Sequence, residues 1–290
     1  MARLALRLPA NVPGDFFVDE SCIDCDACRQ IAPTVFAQRG EQSAVIHQPE
    51  SPEETLAAEK ALLACPTASI GTERKHDLRA AIASYPEPIA DGVHRCGFTS
   101  ESSFGAFSYL IVRDAGNVLV DSPRFNAPLA RNIEAKGGVD LMVLTHIDDV
   151  ADHAKFRERF GCERLIHQRD AKGSVRDVER KISGDDPVDL GDGLTLIPTP
   201  GHTRGHVVYL YRDRFLFTGD HLWWSPNRNH LVASRSACWY SWEEQTKSME
   251  RLREISFEWV LPGHGRPVQL PAARMREELE RCIEWMKRRE

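Results

Sequence analysis

Residues 145–153 read Thr-His-Ile-Asp-Asp-Val-Ala-Asp-His. Three shorter blocks follow along the chain: Pro200-Gly201-His202, Gly219-Asp220 and Pro262-Gly263-His264. Each block comes directly after a strand-like run, and loops at strand ends commonly carry function. Imidazole and carboxylate groups are the usual protein ligands of zinc, iron and manganese. Four such blocks in order predict loops that converge on a metal.

Composition narrows the class of protein. The chain has 290 residues, 42% hydrophobic and 28% charged, which suits one large domain or a small domain plus a medium one. A net charge of -6 without a dense Lys/Arg stripe argues against nucleic acid as a partner. No apolar run reaches the roughly 18 to 20 residues that span a bilayer, so no membrane association is expected. Arg3 and Arg7 interrupt the apolar start, which excludes a signal-peptide core and predicts a cytoplasmic protein.

Four of the eight cysteines have the spacing of a metal site. The arrangement is Cys22-x-x-Cys25-x-x-Cys28 followed by a distant Cys65-Pro66. Three thiolates on one tight loop and a fourth from a remote turn are typical of an iron–sulfur cluster. Zinc is the alternative, although its sites more often pair two Cys-x-x-Cys loops. The other four cysteines are scattered singly, so a disulfide framework is not expected.

This segment resembles the single-cluster bacterial ferredoxins over residues 11–75. Phe16-Phe17-Val18-Asp19 is similar to their first strand, and Cys65-Pro66-Thr67-Ala68-Ser69-Ile70 is similar to the end of the unit. The resemblance implies one [4Fe-4S] cluster held by Cys22, Cys25, Cys28 and Cys65. Between the ligands, residues 51–64 have the signals of a helix: Ser51 as N-cap and Pro52 in the first position.

The remainder is expected to form a linker over residues 76–94 and a second domain over 95–290. The linker prediction depends on mixed charge, two prolines and lost periodicity. Strands are predicted at residues 141–144, 194–197, 207–211, 215–218 and 257–261, and helices at residues 150–160, 241–254 and from 272 onward.

The four blocks resemble those of the metallo-β-lactamase superfamily, in its hydroxyacylglutathione hydrolase-like branch, over residues 95–270. The resemblance implies an α+β ferredoxin-like N-terminal domain followed by an αββα sandwich with one or two metal ions at one edge. It also implies that His202 and His264 bind metal and that Asp220 bridges two metals. Asp121, after the strand-like Val118-Leu119-Val120, is expected to orient a ligand histidine or simply to form a turn.

The first block departs from the family pattern His-x-His-x-Asp-His. Asp148 occupies the place of the second histidine, and Asp152-His153 arrives two residues late. We predict His146, Asp148 and His202 on one metal and Asp152, His153 and His264 on the other, with Asp220 between them. A carboxylate in place of a histidine favours iron or manganese over zinc somewhat.

Two alternatives remain for the first block. Asp148 or Asp149 could cap the following helix. In a helix, Asp149 and His153 would lie at i and i+4 and could form an inconsequential surface pair. The tryptophans and tyrosine at residues 223–242 could line a substrate pocket, with Arg228 or Arg235 holding an anionic group, or could simply pack a long loop.

The resemblance implies a metal-dependent hydrolase that acts on a small-molecule thioester or ester. A metal-held water would lose its proton and attack the carbonyl, and Asp152 could orient that water as the catalytic carboxylate. The first alternative is an oxidoreductase in which the cluster delivers electrons to a di-iron site, loosely like flavodiiron proteins, with a redox partner protein. The second alternative is a metal-poor binding protein. The fold alone does not decide among them.

Overall fold

The computed structural model describes residues 2–288, which divide into two compact units. Unit 1 contains the described chain up to Asn117 together with residues 122–139 and 151–161. Unit 2 contains residues 118–121 and 140–150 and the chain from Cys162 onward. Neither unit is a single continuous stretch of sequence.

Unit 1 is built from short strands and helices. Its strands are β1 (Phe16–Val18), β2 (Phe36–Arg39), β3 (Gln42–Val45), β4 (Ile70–Thr72), β5 (Glu87–Ala90), β6 (Val93–Arg95) and β7 (Tyr109–Ile111). Its α-helices are α1 (Ala27–Ile31), α2 (Pro52–Ala64), α3 (Arg79–Ala83), α4 (Ala127–Glu134) and α5 (His153–Phe160).

The N-terminal part of unit 1 has the predicted α+β character. β1 pairs antiparallel with β4, and β2 forms a hairpin with β3. The predicted helix over residues 51–64 is confirmed as α2, because Ser51 accepts a hydrogen bond from the Glu54 amide and Pro52 occupies the first turn. Small side chains of α2 pack against Phe16 and Phe36, and this apolar contact forms the core of the segment.

Residues 76–94, expected as a linker, contain ordered elements of unit 1. They include α3, β5 and most of β6, and β5, β6 and β7 pair antiparallel in that order. Pro88 lies within β5 and did not prevent strand formation. β5 is an edge strand, and an edge strand can include a residue that donates no hydrogen bond to a neighbouring strand. The domain boundaries at residues 75 and 95 stay a prediction.

Unit 2 contains four parallel strands of one sheet, a second sheet of six strands and a third of two strands. Its strands are β8 (Val118–Val120), β9 (Leu141–Val143), β10 (Glu163–His167), β11 (Arg180–Ile182), β12 (Val188–Asp189), β13 (Leu194–Pro198), β14 (Val207–Tyr211), β15 (Phe215–Gly219), β16 (Trp223–Ser225), β17 (His230–Val232), β18 (Trp259–Pro262) and β19 (Val268–Gln269). β8 to β11 pair in parallel, in chain order. The second sheet has the order β12-β13-β14-β15-β18-β19, in which only β15 and β18 run parallel.

Two helices of unit 2 cover the second sheet: α6 (Trp242–Arg251) and α7 (Ala272–Lys287). Inward-facing residues of β14, β15 and β18, such as Val208, Leu216 and Val260, share one apolar cluster with Met249 of α6 and Leu279 of α7. The predicted strands and both helices of this region are therefore confirmed, and the period of their apolar residues explains why. Within residues 2–288, no helix combines the length and the apolar character needed to cross a bilayer.

His76 joins two carboxylates of unit 1. Its Nδ1 lies 2.8 Å from Glu59 Oε1 and its Nε2 lies 2.8 Å from Asp15 Oδ2. Burial lowers the pKa of His76, but the two carboxylates outweigh burial and the net shift is upward. The stability from these ion pairs is complete below the ordinary histidine pKa of about 6.5 and is lost as pH rises through the raised value.

We therefore predict that an NMR titration finds His76 titrating above pH 6.5, and that Asp15→Asn lowers its midpoint. His94 is an internal control, because burial lowers its pKa and its midpoint should lie below the ordinary value of about 6.5. A midpoint for His76 at or below that of His94 would contradict the ion-pair assignment.

Candidate metal centre

The four sequence blocks lie at the ends of four strands of unit 2. His146 follows β9, His202 follows β13, Asp220 follows β15 and His264 follows β18. Among the described residues, two groups have ligand atoms within 4.8 Å of one another: His146 with Asp148 and His202, and His146 with Asp149 and Asp220. The predicted convergence of the blocks is confirmed.

Asp220 occupies the middle of this cluster. Its Oδ2 lies 3.9 Å from His146 Nε2, 3.8 Å from His202 Nε2 and 4.0 Å from His264 Nε2. These separations are too long for hydrogen bonds. They match the spacing of about 3 to 4 Å between ligand atoms that share an ion at about 2.1 Å. Asp220 therefore has the position that a bridging carboxylate requires.

The two other carboxylates lie on either side of Asp220. Asp148 Oδ2 is 3.6 Å from His202 Nε2 and 4.0 Å from His146 Nε2. Asp149 Oδ1 is 3.8 Å from His264 Nε2. Asp148 therefore groups with His146 and His202, and Asp149 groups with His146, Asp220 and His264.

The donor atoms fit a cation. His146 Nε2, His202 Nε2, Asp149 Oδ2 and Asp220 Oδ1 are buried and have no hydrogen-bond partner in the protein. Buried polar atoms are normally satisfied, and leaving one unpaired costs about 1–3 kcal/mol. A divalent ion would satisfy these atoms and compensate three neighbouring carboxylates, so the residues present fit one or two metal ions.

The pKa shifts of these side chains also favour a bound cation. Burial lowers the pKa of His146 to about 4, so the imidazole is neutral and its Nε2 lone pair is available. Burial, with the charges of Asp220 and Asp121, raises the pKa of Asp149 well above its usual value. The His202 imidazole lowers the pKa of Asp148. A cation would relieve the repulsion that disfavours ionised Asp149.

Asp121 is linked to His146 through Thr145. Asp121 Oδ1 accepts hydrogen bonds from the Thr145 amide (2.7 Å) and from Thr145 Oγ1 (3.0 Å). Thr145 Oγ1 lies 2.9 Å from His146 Nδ1, so that nitrogen can donate to the hydroxyl and leave Nε2 as the acceptor. Burial raises the pKa of Asp121 to about 8. Asp121 thus contacts His146 through Thr145, and its role in orienting a ligand histidine stays a prediction.

Asp170 fixes the turn that carries His202. It accepts hydrogen bonds from Thr203 Oγ1 (2.5 Å) and from the Gly205 amide (2.8 Å). Asp170 could not be predicted from the sequence, because it lies 32 residues before His202 and belongs to no motif. A carboxylate that holds a ligand-bearing turn reduces the freedom of the ligand.

Asp149 lies beside His264. Asp149 is 2% exposed, and a Cβ on Gly263 would come within 2.3 Å of Asp149 Oδ2. The surface-pair alternative for Asp149 and His153 is therefore wrong, and α5 begins at His153, three residues later than predicted. Gly263 directly precedes His264. A glycine at this position is the sequence signal that another side chain approaches the turn closely.

Asp152 and His153 belong to unit 1. Asp152 Oδ2 accepts a hydrogen bond from the Phe125 amide (2.8 Å), and Asp152 Oδ1 pairs with Lys155 Nζ (2.7 Å). His153 is the first residue of α5 and is buried. The structure does not group either residue with the ligand atoms described above. The roles predicted for Asp152 in metal binding and catalysis, and for His153 in metal binding, stay predictions.

The aromatic segment after Asp220 divides into core and surface. Trp242 is buried in the apolar cluster under the second sheet, as the packing alternative expected. Trp239 is 68% exposed, and its ring centroid lies 6.1 Å from that of His202. The amides of Trp239 and Tyr240 donate to the His202 carbonyl. Trp239 is therefore held beside the ligand turn and presents an open aromatic face.

The four predicted cluster cysteines line one small cavity of unit 1: Cys22, Cys25, Cys28 and Cys65. The Ser69 amide donates to Cys65 Sγ (3.2 Å). Burial raises the pKa of Cys25 and of Cys28 to about 12, so the thiols stay neutral unless a cation binds. Four converging sulfurs fit a metal or an iron–sulfur cluster, whose positive charge would favour the thiolates.

Comparison with known families agrees with both sites. Residues 18–72 match the model of the 4Fe-4S single cluster domain of ferredoxin I. Residues 103–264, more than half of the chain, match the model of the metallo-beta-lactamase superfamily.

The chain belongs to the metallo-beta-lactamase superfamily.

Relatives and solved structures of this superfamily resemble part of the chain. A hydroxyacylglutathione hydrolase of Bradyrhizobium sp. (strain ORS 278) is 35% identical over 123 residues, which are 40% of this chain and 48% of that protein. One from Acidiphilium cryptum is 32% identical over 120 residues, or 40% and 49%. The chain thus spans about half the length of the curated relatives it matches.

A solved structure supports the fold. The metallo-beta-lactamase from Hirschia baltica aligns with a TM-score of 0.51 at 16% identity, covering 69% of this chain and 95% of that one. The predicted fold class is confirmed, with a ferredoxin-like segment followed by a metallo-β-lactamase sandwich.

The first prediction from this site separates Asp149 from Asp152. Asp149→Asn should reduce the metal content of the purified protein, since an amide is a weaker metal ligand than a carboxylate. Asp152→Asn is the matched control and should retain metal, because its carboxylate is engaged by Lys155 and the Phe125 amide. Metal loss in the Asp152 variant with retention in the Asp149 variant would restore the original assignment.

The second prediction concerns Gly105, which approaches Cys25. A Cβ on Gly105 would lie 2.6 Å from Cys25 Cβ and 2.8 Å from its Sγ. Gly105→Ala should therefore displace Cys25 and lower the visible absorption of the cluster. Gly40→Ala is the control, because Gly40 also has a positive φ but nothing lies within 4 Å of its Cβ position. Equal absorption losses in both variants would mean that backbone strain, not the contact, is responsible.

Proposed function

We propose that the protein is a metal-dependent hydrolase of a thioester or ester with a fused [4Fe-4S] domain. The observation that carries this proposal is the meeting of His146, His202, His264 and Asp220 at four strand ends, where the buried His146 Nε2, His202 Nε2 and Asp220 Oδ1 have no hydrogen-bond partner in the protein. The relatives named hydroxyacylglutathione hydrolase support a thioester as the substrate class.

The metal would be held by groups from both sides of Asp220. His146, Asp148 and His202 would hold one ion, and Asp149 and His264 a second, with Asp220 shared. When bound, such ions lower the pKa of a coordinated water and polarise a carbonyl oxygen. The hydrogen-bond chain from Asp121 through Thr145 would keep Nε2 of His146 as the ligand atom.

Asp148 would face the incoming substrate. Its side chain is 50% exposed, whereas that of Asp149 is 2% exposed. The His202 imidazole lowers the pKa of Asp148, so its carboxylate is ionised near neutral pH and suited to bind a cation. Trp239 would form one side of the entrance and exclude water from the reacting bond.

The cysteine site would bind a [4Fe-4S] cluster rather than zinc. The three-plus-one spacing and the family match over residues 18–72 support this choice. The cluster would stabilise its domain or exchange electrons with a redox partner protein.

One observation favours a second candidate, a di-iron oxidoreductase. Three carboxylates, Asp148, Asp149 and Asp220, accompany the histidines, and this oxygen-rich donor set suits iron or manganese better than a histidine-rich one would. In that case the fused cluster would deliver electrons to the second site.

Metal analysis of protein purified without oxygen discriminates the two candidates. Hydrolysis with zinc predicts about four irons and up to two zincs per chain, and the redox candidate predicts about six irons and no zinc. His202→Ala should lower the metal of the second site and reduce hydrolysis of a hydroxyacylglutathione thioester by more than about 100-fold. The surface variant His47→Ala is the control. Unchanged metal and turnover in His202→Ala would refute the proposed site.

A further inference from the structure

A chain of hydroxyl groups in unit 1 joins Asp19 to Cys65. Ser21 Oγ lies 2.5 Å from Asp19 Oδ1 and 2.8 Å from Ser69 Oγ. Ser69 Oγ lies 2.6 Å from Thr67 Oγ1, which in turn lies 3.8 Å from Cys65 Sγ. Asp19 and Ser69 are buried. A buried carboxylate is therefore connected, through three hydroxyl groups, to one of the four sulfurs of the cysteine site.

Asp19 acts only as an acceptor in this chain. Its Oδ2 accepts a hydrogen bond from the Arg3 amide (2.8 Å), and its Oδ1 accepts one from the Ser21 amide (3.0 Å). Burial raises the pKa of Asp19, but these bonds and the Ser21 hydroxyl outweigh burial, and the net shift is downward. An ionised carboxylate has no proton to donate. The Ser21 hydroxyl is therefore the donor in its contact with Asp19.

The carboxylate fixes the direction of every hydrogen bond in the chain. A hydroxyl group has one proton and can donate only one hydrogen bond. Because the Ser21 proton is committed to Asp19, Ser69 must donate to Ser21. Because the Ser69 proton is then committed, Thr67 must donate to Ser69. Thr67 consequently has no proton left for Cys65.

Cys65 receives its hydrogen bond from the backbone instead. The Ser69 amide donates to Cys65 Sγ at 3.2 Å, whereas the Thr67 hydroxyl presents only lone pairs to the sulfur. The reduction potential of an iron–sulfur cluster depends on the hydrogen bonds to its sulfurs, because a donated proton stabilises the more negative reduced form. The orientation of the Thr67 hydroxyl would therefore affect how readily a bound cluster is reduced.

We propose that Asp19, acting through Ser21 and Ser69, prevents Thr67 from donating a hydrogen bond to Cys65 and so lowers the reduction potential of the bound cluster. Asp19, Ser21, Ser69 and Thr67 are positioning residues in this arrangement. The inference rests on the [4Fe-4S] cluster of the proposed function and favours one of its two roles. A lowered potential makes the reduced cluster a stronger electron donor, which serves electron exchange with a redox partner rather than stabilisation of the domain alone.

The test is a redox titration of the intact protein, purified without oxygen, with dithionite as reductant and viologen dyes as mediators. Visible absorption reports the cluster and its oxidation state. Ser69→Ala removes the acceptor of the Thr67 proton without changing any charge. It should shift the reduction equilibrium by about fivefold toward the reduced cluster, since the freed hydroxyl can donate to Cys65 Sγ. Thr67→Val alone should change the potential little, and added to Ser69→Ala it should abolish the shift.

A second pair of variants tests the link to Asp19. Ser21→Val and Ser21→Thr introduce side chains of the same shape, and only Ser21→Thr keeps a hydroxyl group. Ser21→Val should reproduce the shift of Ser69→Ala, and Ser21→Thr should retain the wild-type potential. Ser102→Ala is the control, because Ser102 is an exposed serine of unit 1 whose hydroxyl contacts Ser100 (3.0 Å).

The outcomes separate this inference from the cluster on which it rests. An unchanged potential in Ser69→Ala, or a shift that persists when Thr67→Val is added, would overturn the proposal while the visible absorption still confirms a cluster. A shift in Ser69→Ala without one in Ser21→Val would overturn the role of Asp19. Wild-type protein without the visible absorption of a cluster would refute the proposed cluster and this inference together.

Discussion

The dominant electrostatic constraint on the candidate centre is the repulsion among three carboxylates that the fold brings together: Asp148, Asp149 and Asp220. Burial raises the pKa of Asp149, and the charges of Asp220, Asp121 and Asp148 raise it further. Burial makes this repulsion costly, since like charges interact strongly where water is excluded. The carboxylates are held in place against this repulsion by strand ends, by hydrogen-bonded turns and by glycines that admit close approach. A bound cation would offset this repulsion. The arrangement of these residues therefore fits metal binding, whichever reaction the protein catalyses.

The sequence predicted the centre where local structure determines it. His202, Asp220 and His264 each follow a strand of regular apolar pattern within a glycine-containing turn, so their place at the sheet edge follows from short-range rules. These short-range rules could not predict that Asp149 lies beside His264. The position of Asp149 depends on the path of residues 147–152, which α5 does not begin to constrain until His153. Whether a loop residue points inward is decided by its distant neighbours, here Gly263 and Asp220.

The same distinction applies to contacts between segments remote in sequence. The spacing of the four cysteines predicted a common site, because three of them are constrained by one tight loop. The approach of Gly105 to Cys25 was not predictable, since the 79 intervening residues carry no pattern that joins them. Asp170 was missed for the same reason. Gly105 and Asp170 support the sites through tertiary packing. Such packing cannot be predicted from periodicity or from motif spacing.

The donor set also bears on how hydrolysis and electron transfer compete as functions of one fold. Replacing a neutral imidazole by Asp148 adds a negative charge near the ion, which stabilises a higher-valent metal and so makes redox chemistry more accessible. The same charge reduces the ability of a metal to polarise a carbonyl, because the ion is already partly neutralised. Asp148 is half exposed, whereas His146 and His202 are buried. The two neutral imidazoles would neutralise an ion less than a set of carboxylates alone, which retains its Lewis acidity and favours hydrolysis over a centre that cycles between oxidation states.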